Sequence, residues 1–178
     1  MKSDSVILIT GGTGGHVIPA VNLGNYMIDN GNCCYLLVDN RGIKYTSNFK
    51  GKIIKIYSAH LGYNFFDNIR FFVFLPIGFI QSAIYLIKIC PTKGIAFGSY
   101  ASFMPLLILS MFKVFGLTEI FLHEQNSVMG KVNKIFSRFA NKIFLNFEIT
   151  KKLGKKYINK SYLAGSPQNH TFNYSLRS

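Results

Sequence analysis

Four glycines and one histidine lie close together near the start of the chain, in the stretch LITGGTGGHVIPA at residues 8–20. Glycines allow a backbone to approach a ligand closely, and a helix that begins there offers free N–H groups and a partial positive charge to a phosphate. The imidazole of His16 is a side chain that can accept a proton near neutral pH. The stretch therefore predicts a phosphate site beside a general base; the alternative is a tight turn that binds nothing.

The spacing of these glycines argues against two common phosphate motifs. GGTGGH matches neither the GxGxxG fingerprint of dinucleotide-binding domains nor a P-loop, since no GK[ST] follows. Asp39 is the nearest acidic residue that could bind a ribose, but the NRG after it is typical of a turn. A different kind of phosphate ligand is therefore expected.

Two later stretches also carry groups that could bind a ligand. FGSYASFMP at residues 97–105 offers backbone N–H groups and the hydroxyls of Tyr100 and Ser102. HEQNSVMGKVNK at residues 123–134 begins with four polar residues directly after an apolar run, and such residues are expensive to bury without a purpose. A binding loop is one interpretation; capping of the next helix by Asn126, with the other residues solvated, is the alternative.

The elements that must position these stretches alternate between short apolar strands and helices. Strands are predicted at 6–10, 34–38, 52–57, 94–97, 119–123, 142–145 and 162–164, and helices at 19–30, 104–115 and 128–139. The region 65–89 is predicted to hold one or two helices, broken near Pro76. This order indicates an α/β fold, a Rossmann-like doubly wound parallel sheet, in which ligands bind beyond the carboxyl ends of the strands.

The formal net charge of +13 on 178 residues indicates an anionic partner: nucleic acid, an acidic membrane surface or a phosphate-bearing substrate. Drift in an AT-rich genome, which favours Ile, Lys, Asn, Phe and Tyr, is the alternative cause. Nucleic acid is not expected, because no helix-turn-helix, zinc or RNP signature occurs. Three cysteines without a CxxC indicate a reducing compartment and neither a metal site nor a disulfide framework. The N-terminus lacks the features of a signal peptide.

The apolar stretch at residues 71–90, FFVFLPIGFIQSAIYLIKIC, is as long as a membrane span. Pro76, Gly78, Gln81 and Lys88 interrupt it. A buried or surface-lying amphipathic segment is therefore favoured over a span.

Three motifs in this order resemble the MurG family, the N-acetylglucosaminyltransferases of peptidoglycan synthesis: GGTGGHxxPA, then GxYxSxxP, then HEQNxxxGxxN. The resemblance covers residues 5–168 and concerns the N-terminal, acceptor-binding domain. NRG at residues 40–42 and GSP at residues 165–167 resemble further motifs of the family. Ser99 departs from the pattern, since the family usually has a glycine at this position, and Ser166 replaces an asparagine.

The resemblance implies the N-terminal half of a GT-B glycosyltransferase, with an acceptor-binding domain at residues 1–165. Residues 166–178 would be a loose remnant of the interdomain linker, and the C-terminal donor domain would be absent. The implied reaction transfers GlcNAc from UDP-GlcNAc to MurNAc-pentapeptide on undecaprenyl diphosphate, with inversion and with no metal or cofactor. UDP-GlcNAc would bind through a missing or separate C-terminal domain. The alternatives are an inactive truncated remnant and the acceptor subunit of a two-chain transferase.

The resemblance also assigns roles to individual residues. His16 is the first candidate for the general base and Glu124 the second. The substrate-binding residues that it implies are Gly11, Gly12, Thr13, Gly14, Gly15, Gly98, Ser99, Tyr100, Ser102, Gln125, Asn126 and Asn133.

A lipid-linked acceptor implies a peripheral location on the cytoplasmic face of the bacterial inner membrane. Basic side chains near an anionic leaflet contribute about 1 kcal/mol each. An apolar patch that could enter the interface is predicted at Phe65, Phe66, Arg70, Phe71, Phe72 and Phe74. The alternative is that about half of these phenylalanines belong to the core.

Overall fold

The computed structural model describes residues 5–58 and 65–167, without the side chains of residues 65–75. Within these ranges seven strands form one parallel sheet in the order β3-β2-β1-β4-β5-β6-β7. The strands are β1 (Ser5–Thr10), β2 (Cys33–Asp39), β3 (Lys52–Ile56), β4 (Lys93–Ala96), β5 (Glu119–Glu124), β6 (Lys142–Leu145) and β7 (Ser161–Leu163). The predicted α/β fold with a parallel sheet is confirmed.

The helices cover both faces of this sheet. They are α1 (Gly14–Asp29), α2 (Phe65–Ile89), α3 (Phe103–Val114) and α4 (Lys131–Phe136), with single 3-10 turns at Ile43–Tyr45 and Tyr100–Ser102 and a longer 3-10 segment at Lys155–Lys160. Side chains alternate along β1, so that Val6 and Leu8 pack toward α1 whereas Ile7 and Ile9 pack toward α3. All four are fully buried, and the end of β1 is therefore a rigid support for the glycine stretch.

Three predicted helix boundaries are wrong. The first helix starts at Gly14 and not at Pro19, because the chain turns directly out of β1 and Thr13 accepts the first helical hydrogen bonds. The second helix continues through Pro76, where only one backbone donor is missing. The fourth is shorter than residues 128–139, since residues 127–129 pair with Lys151 in an extended bridge.

No helix within the described residues is long and apolar enough to cross a bilayer. The outward face of α2 nevertheless carries four exposed isoleucines at helical spacing, Ile77, Ile80, Ile84 and Ile87. The side chains of the predicted interface patch, Phe65, Phe66, Arg70, Phe71, Phe72 and Phe74, lie outside the described residues, and that patch stays a prediction.

Candidate functional site

The turn between β1 and α1 requires glycine at its first two positions. A Cβ on Gly11 would lie 2.6 Å from the Cβ of Ala101 and 2.9 Å from the carboxyl carbon of Asp39. Gly12 adopts a φ of +79°, which side-chain-bearing residues rarely adopt. The turn is therefore shaped by both backbone conformation and close packing.

The carboxylate of Asp39 holds this turn in place. Its Oδ1 accepts the N–H groups of Gly12 and Gly42, each at 2.9 Å. Its Oδ2 accepts from Ser58 Oγ at 3.1 Å and from Arg41 Nε at 3.3 Å. With all of these donors and only 2% of its side chain exposed, Asp39 has no free oxygen for a ribose. The sequence points to this residue only as the end of a strand before an NRG turn.

The first turn of α1 leaves backbone donors open. The N–H groups of His16 and Val17 bond the carbonyl of Thr13, whereas those of Gly14 and Gly15 precede the first helical acceptor. The N-cap residue Thr13 makes no side-chain cap. The turn thus presents the free N–H groups that a phosphate oxygen needs.

His16 and Asn133 both lie close to Gly98, the first residue of the loop at residues 98–102 that follows β4. A Cβ on Gly98 would lie 3.6 Å from His16 Cε1 and 3.5 Å from Asn133 Nδ2. His16 Nδ1 and Asn133 Oδ1 are both buried and have no hydrogen-bond partner among the described residues. Unpartnered buried polar atoms are rare and costly, and Thr10 Oγ1 and Ser82 Oγ are in the same state. His16 and Asn133 differ from these two because they line the first cavity described below, where a ligand would lie beside them.

Glu124, at the end of β5, organises the loop that leads to α4. Its Oε1 accepts from the backbone and side-chain amides of Asn126 at 3.0 and 3.1 Å. Its Oε2 accepts from Gly130 N at 2.8 Å and Asn133 Nδ2 at 2.9 Å. The carboxylate is 1% exposed. The capping alternative for Asn126 is wrong, because Gly130 occupies the N-cap of α4 and the residues before Asn126 are buried.

His123 connects the site to the segment that leaves β7. Its Nε2 lies 2.9 Å from the Gly165 carbonyl and its Nδ1 lies 2.7 Å from the amide of Gln125. The carbonyl can only accept and the amide can only donate, so Nε2 carries the proton of a neutral ring. Burial lowers the pKa of His123, which favours this neutral form. The HEQN motif contains this residue, but its long-range partner has no sequence signal.

The exit segment is bound to the site at its first residues. Ser166 Oγ donates to Gln125 Oε1 at 3.3 Å, and Asn22 Nδ2 donates to the Pro167 carbonyl at 3.1 Å. Residues 166 and 167 are therefore anchored, in contrast to the loose tail expected from residue 166 onward. The rest of that predicted tail lies outside the described residues.

Ser99 adopts a backbone conformation that normally belongs to glycine, with φ of 75° and ψ of 155°. Its Oγ accepts the N–H of Ala101 at 3.1 Å, which gives the strained residue one compensating bond. Ser102 is fully buried, and its Oγ donates to the Gly98 carbonyl. This hydrogen bond fixes the 98–102 loop from inside the protein.

We expect Ser99→Gly to be more stable than Ser99→Ala by about 1–2 kcal/mol, because alanine keeps the strain and loses the hydroxyl acceptor. Urea unfolding of both variants measures the difference. Ser127, which is exposed and has a negative φ, is the control position, where alanine should be the more stable of the two. A Ser99→Ala variant that equals or exceeds Ser99→Gly in stability would show that the loop carries no strain.

Two cavities of about 340 and 390 Å³ adjoin at this edge of the sheet and share Thr13, His16 and Asn126. The first is also lined by Gly12, Arg41, Gly98, Ser99, Tyr100, Glu124, Gly130, Lys131, Val132 and Asn133. The second is also lined by Gly14, Gly15, Ile18, Pro19, Gln125, Asn146 and Ser166.

The structure brings most of the predicted site residues together in these cavities. Gly11 and Ser102 line neither of them and lie behind the two loops. The cavities are also lined by three residues that are not among the predicted site residues, Arg41, Lys131 and Asn146. Arg41 and Lys131 carry the positive charges of the first cavity, and the second has amide and hydroxyl groups without a formal charge.

Comparison with known sequences shows similarity over most of the chain. Residues 6–145 match the family described as the glycosyltransferase family 28 N-terminal domain. A Rickettsia prowazekii (strain Madrid E) protein named UDP-N-acetylglucosamine–N-acetylmuramyl-(pentapeptide) pyrophosphoryl-undecaprenol N-acetylglucosamine transferase is 40% identical over 165 residues. A protein of the same name from Wolbachia sp. subsp. Drosophila simulans (strain wRi) is 36% identical over 146 residues. These matches cover 90% and 82% of this chain but 40% of each relative.

Solved structures show the same fold. The crystal structure of Acinetobacter baumannii MurG superposes with a TM-score of 0.69 at 20% identity, covering 93% of this chain and 47% of that one. A calicheamicin glycosyltransferase superposes with a TM-score of 0.63 at 7% identity, covering 93% of this chain and 53% of that one. The described fold is therefore the N-terminal, Rossmann-like half of a GT-B glycosyltransferase.

Proposed function

This chain belongs to the glycosyltransferase family 28 N-terminal domain family, and from that membership we propose that it is the acceptor-binding half of an N-acetylglucosaminyltransferase of peptidoglycan synthesis. The chain spans about 40% of the length of its curated relatives, whose names give the acceptor as N-acetylmuramyl-(pentapeptide) pyrophosphoryl-undecaprenol and the donor as UDP-GlcNAc. One observation carries the proposal. His16 lines both of the adjoining cavities, and it directly follows a glycine turn whose free N–H groups can bind a phosphate.

In this proposal the glycine turn and the 98–102 loop bind the diphosphate of the acceptor, and the MurNAc 4-hydroxyl lies beside His16. His16 accepts the proton of that hydroxyl while its oxygen attacks the anomeric carbon of GlcNAc. The bond from that carbon to the UDP oxygen breaks, and UDP leaves with the electron pair, so the anomeric configuration inverts. UDP-GlcNAc is held by a donor-binding domain that the described residues do not include.

The contacts of the two candidate bases favour His16 over Glu124. All four hydrogen bonds of Glu124 hold its own loop, so neither carboxylate oxygen is left without a donor. His16 Nδ1 has no partner among the described residues, and the ring lines both cavities. Glu124 is therefore a positioning residue for Asn126 and Asn133, which orient the acceptor.

The surface of α2 supports a peripheral position on the cytoplasmic face of the membrane, where a lipid-linked acceptor would lie. Its four outward isoleucines are 41–61% exposed, and Lys88 follows them on the same helix. Val114 and Phe115, at the end of the neighbouring α3, are 76% and 75% exposed. Such an apolar surface on a chain of net charge +13 suits an anionic interface.

Flotation with phosphatidylglycerol vesicles tests both parts of the proposal. The chain should float with plain vesicles, and more strongly when they contain undecaprenyl-diphosphate-MurNAc-pentapeptide. Ile80→Ser with Ile84→Ser should lower binding to plain vesicles by about 10-fold or more, because two apolar side chains no longer enter the interface. The control is Ile135→Ser with Ile158→Ser, at two positions of similar exposure on other elements. Equal flotation with and without the lipid-linked acceptor in the vesicles would contradict the acceptor site. An Ile80→Ser, Ile84→Ser variant that floats like the unchanged chain would contradict the membrane surface.

A further inference from the structure

The guanidinium of Arg41 lies beside the glycine turn with most of its donors unused. Its Nη2 is 3.7 Å from the position that a Cβ on Gly12 would occupy. Its Nε bonds Asp39, but neither Nη group makes a hydrogen bond to the described residues. The side chain is 50% exposed and lines the first cavity. A planar, charged fork of donors therefore faces the place where the phosphates of a ligand would lie.

Asp39 fixes the guanidinium relative to the turn. The same carboxylate bonds Arg41 Nε through one oxygen and the Gly12 N–H through the other. A guanidinium held at Nε retains its Nη donors, which can bind two oxygens of one phosphate in parallel. The aspartate thus orients the fork and joins it to the backbone donors that follow Gly12.

The charges in the first cavity favour an anion. Arg41 and Lys131 both line it, and the acidic residue among its lining groups, Glu124, is saturated by four donors. A diphosphate ester matches this arrangement, with one phosphate at the N–H groups of the turn and the other at the fork.

We propose that Arg41 is a specificity-determining residue that binds one phosphate of the acceptor diphosphate through its Nη groups, in an orientation set by Asp39. This inference rests on the proposed function and adds a residue to it. A diphosphate could also come from the UDP part of the donor, which has the same phosphate chemistry. The lipid side is favoured because Arg41 lines the first cavity together with Gly98 and Tyr100 of the loop that the proposed function assigns to the acceptor.

Calorimetric titration of the whole chain with geranyl diphosphate and, separately, with UDP tests the assignment at low ionic strength. Arg41→Gln should weaken geranyl diphosphate binding by about 10–100-fold, because charge-assisted bidentate bonds are lost. Arg41→Lys should recover less than half of that loss on a logarithmic scale, since an ammonium keeps the charge without the fork. Arg138→Gln, an exposed arginine stacked on Phe139, removes the same charge elsewhere and should change binding less than about two-fold.

The other outcomes separate the inference from the function on which it rests. If Arg41→Gln and Arg138→Gln weaken geranyl diphosphate binding equally, or if Arg41→Lys binds it as well as the unchanged chain, the bidentate role of Arg41 is overturned. Either result would mean that only the net charge of the protein affects binding. If Arg41→Gln weakens the binding of UDP and not that of geranyl diphosphate, the assignment to the acceptor is overturned. An unchanged chain that binds neither diphosphate would overturn the acceptor site itself, and with it the proposed function.

Discussion

Replacing His16 by alanine is expected to lower turnover by about 10²–10⁴-fold and to leave acceptor affinity within about two-fold of the unchanged chain. A general base acts on the proton that moves in the transition state, so its loss affects the rate far more than ground-state binding. Turnover is measured with this chain combined with the separately produced remainder of the Rickettsia prowazekii relative, using UDP-GlcNAc and the lipid-linked acceptor. Acceptor affinity is measured by flotation.

His16→Gln is the matched control for the shape of the site. Glutamine keeps a polar side chain between the two cavities but cannot accept the proton, so its turnover should fall as far as that of His16→Ala. Turnover near that of the unchanged chain in both variants would exclude His16 as the base. A parallel fall in affinity and turnover would instead indicate a binding role. An unchanged chain that binds acceptor but supports no turnover in the combination would favour the alternative of a non-catalytic acceptor-binding protein.

The strands of this fold are predictable because parallel strands buried on both faces are continuous apolar runs. VILIT in β1 is such a run, and every side chain in it is fully buried. The sequence predicts the polar stretches after β1, β4 and β5 at one edge of the sheet, and they lie there because parallel strands all end on the same side. Fold class and the approximate place of the site therefore follow from local patterns alone.

Contacts between distant residues have no comparable local signal. Asp39 and Gly12 are 27 positions apart, and His123 and Gly165 are 42 apart, yet these two hydrogen bonds fix the glycine turn and the exit segment. The start of α1 also differs from the predicted one. Proline favours the first turn of a helix, but here the helix already begins at Gly14, because the Thr13 carbonyl accepts from the N–H groups of His16 and Val17. The hydrogen-bond donors of each carboxylate can therefore be identified only in the folded structure.

Replacing Glu124 by alanine is expected to lower the free energy of unfolding by about 3 kcal/mol, because the backbone N–H groups of Asn126 and Gly130 and the amide of Asn133 lose their acceptor in a buried place. Glu124→Gln should cost about 1–3 kcal/mol, since its NH₂ group cannot accept from the donors that one carboxylate oxygen serves. Urea unfolding measures both values. Glu148→Ala, at an exposed position, is the control and should change stability by less than about 0.5 kcal/mol.

Stability alone does not separate a positioning carboxylate from a base, but the pH dependence of turnover does. If Glu124 positions the loop, Glu124→Gln lowers turnover at every pH and the profile keeps the acidic limb that a base must produce. The same limb disappears in His16→Ala, because the group that titrates has been removed. If Glu124 is the base, the acidic limb disappears in Glu124→Gln and remains in His16→Ala. A Glu124→Ala chain as stable as Glu148→Ala would contradict the positioning role directly, since four hydrogen bonds to one buried carboxylate cannot be lost without a measurable change in unfolding.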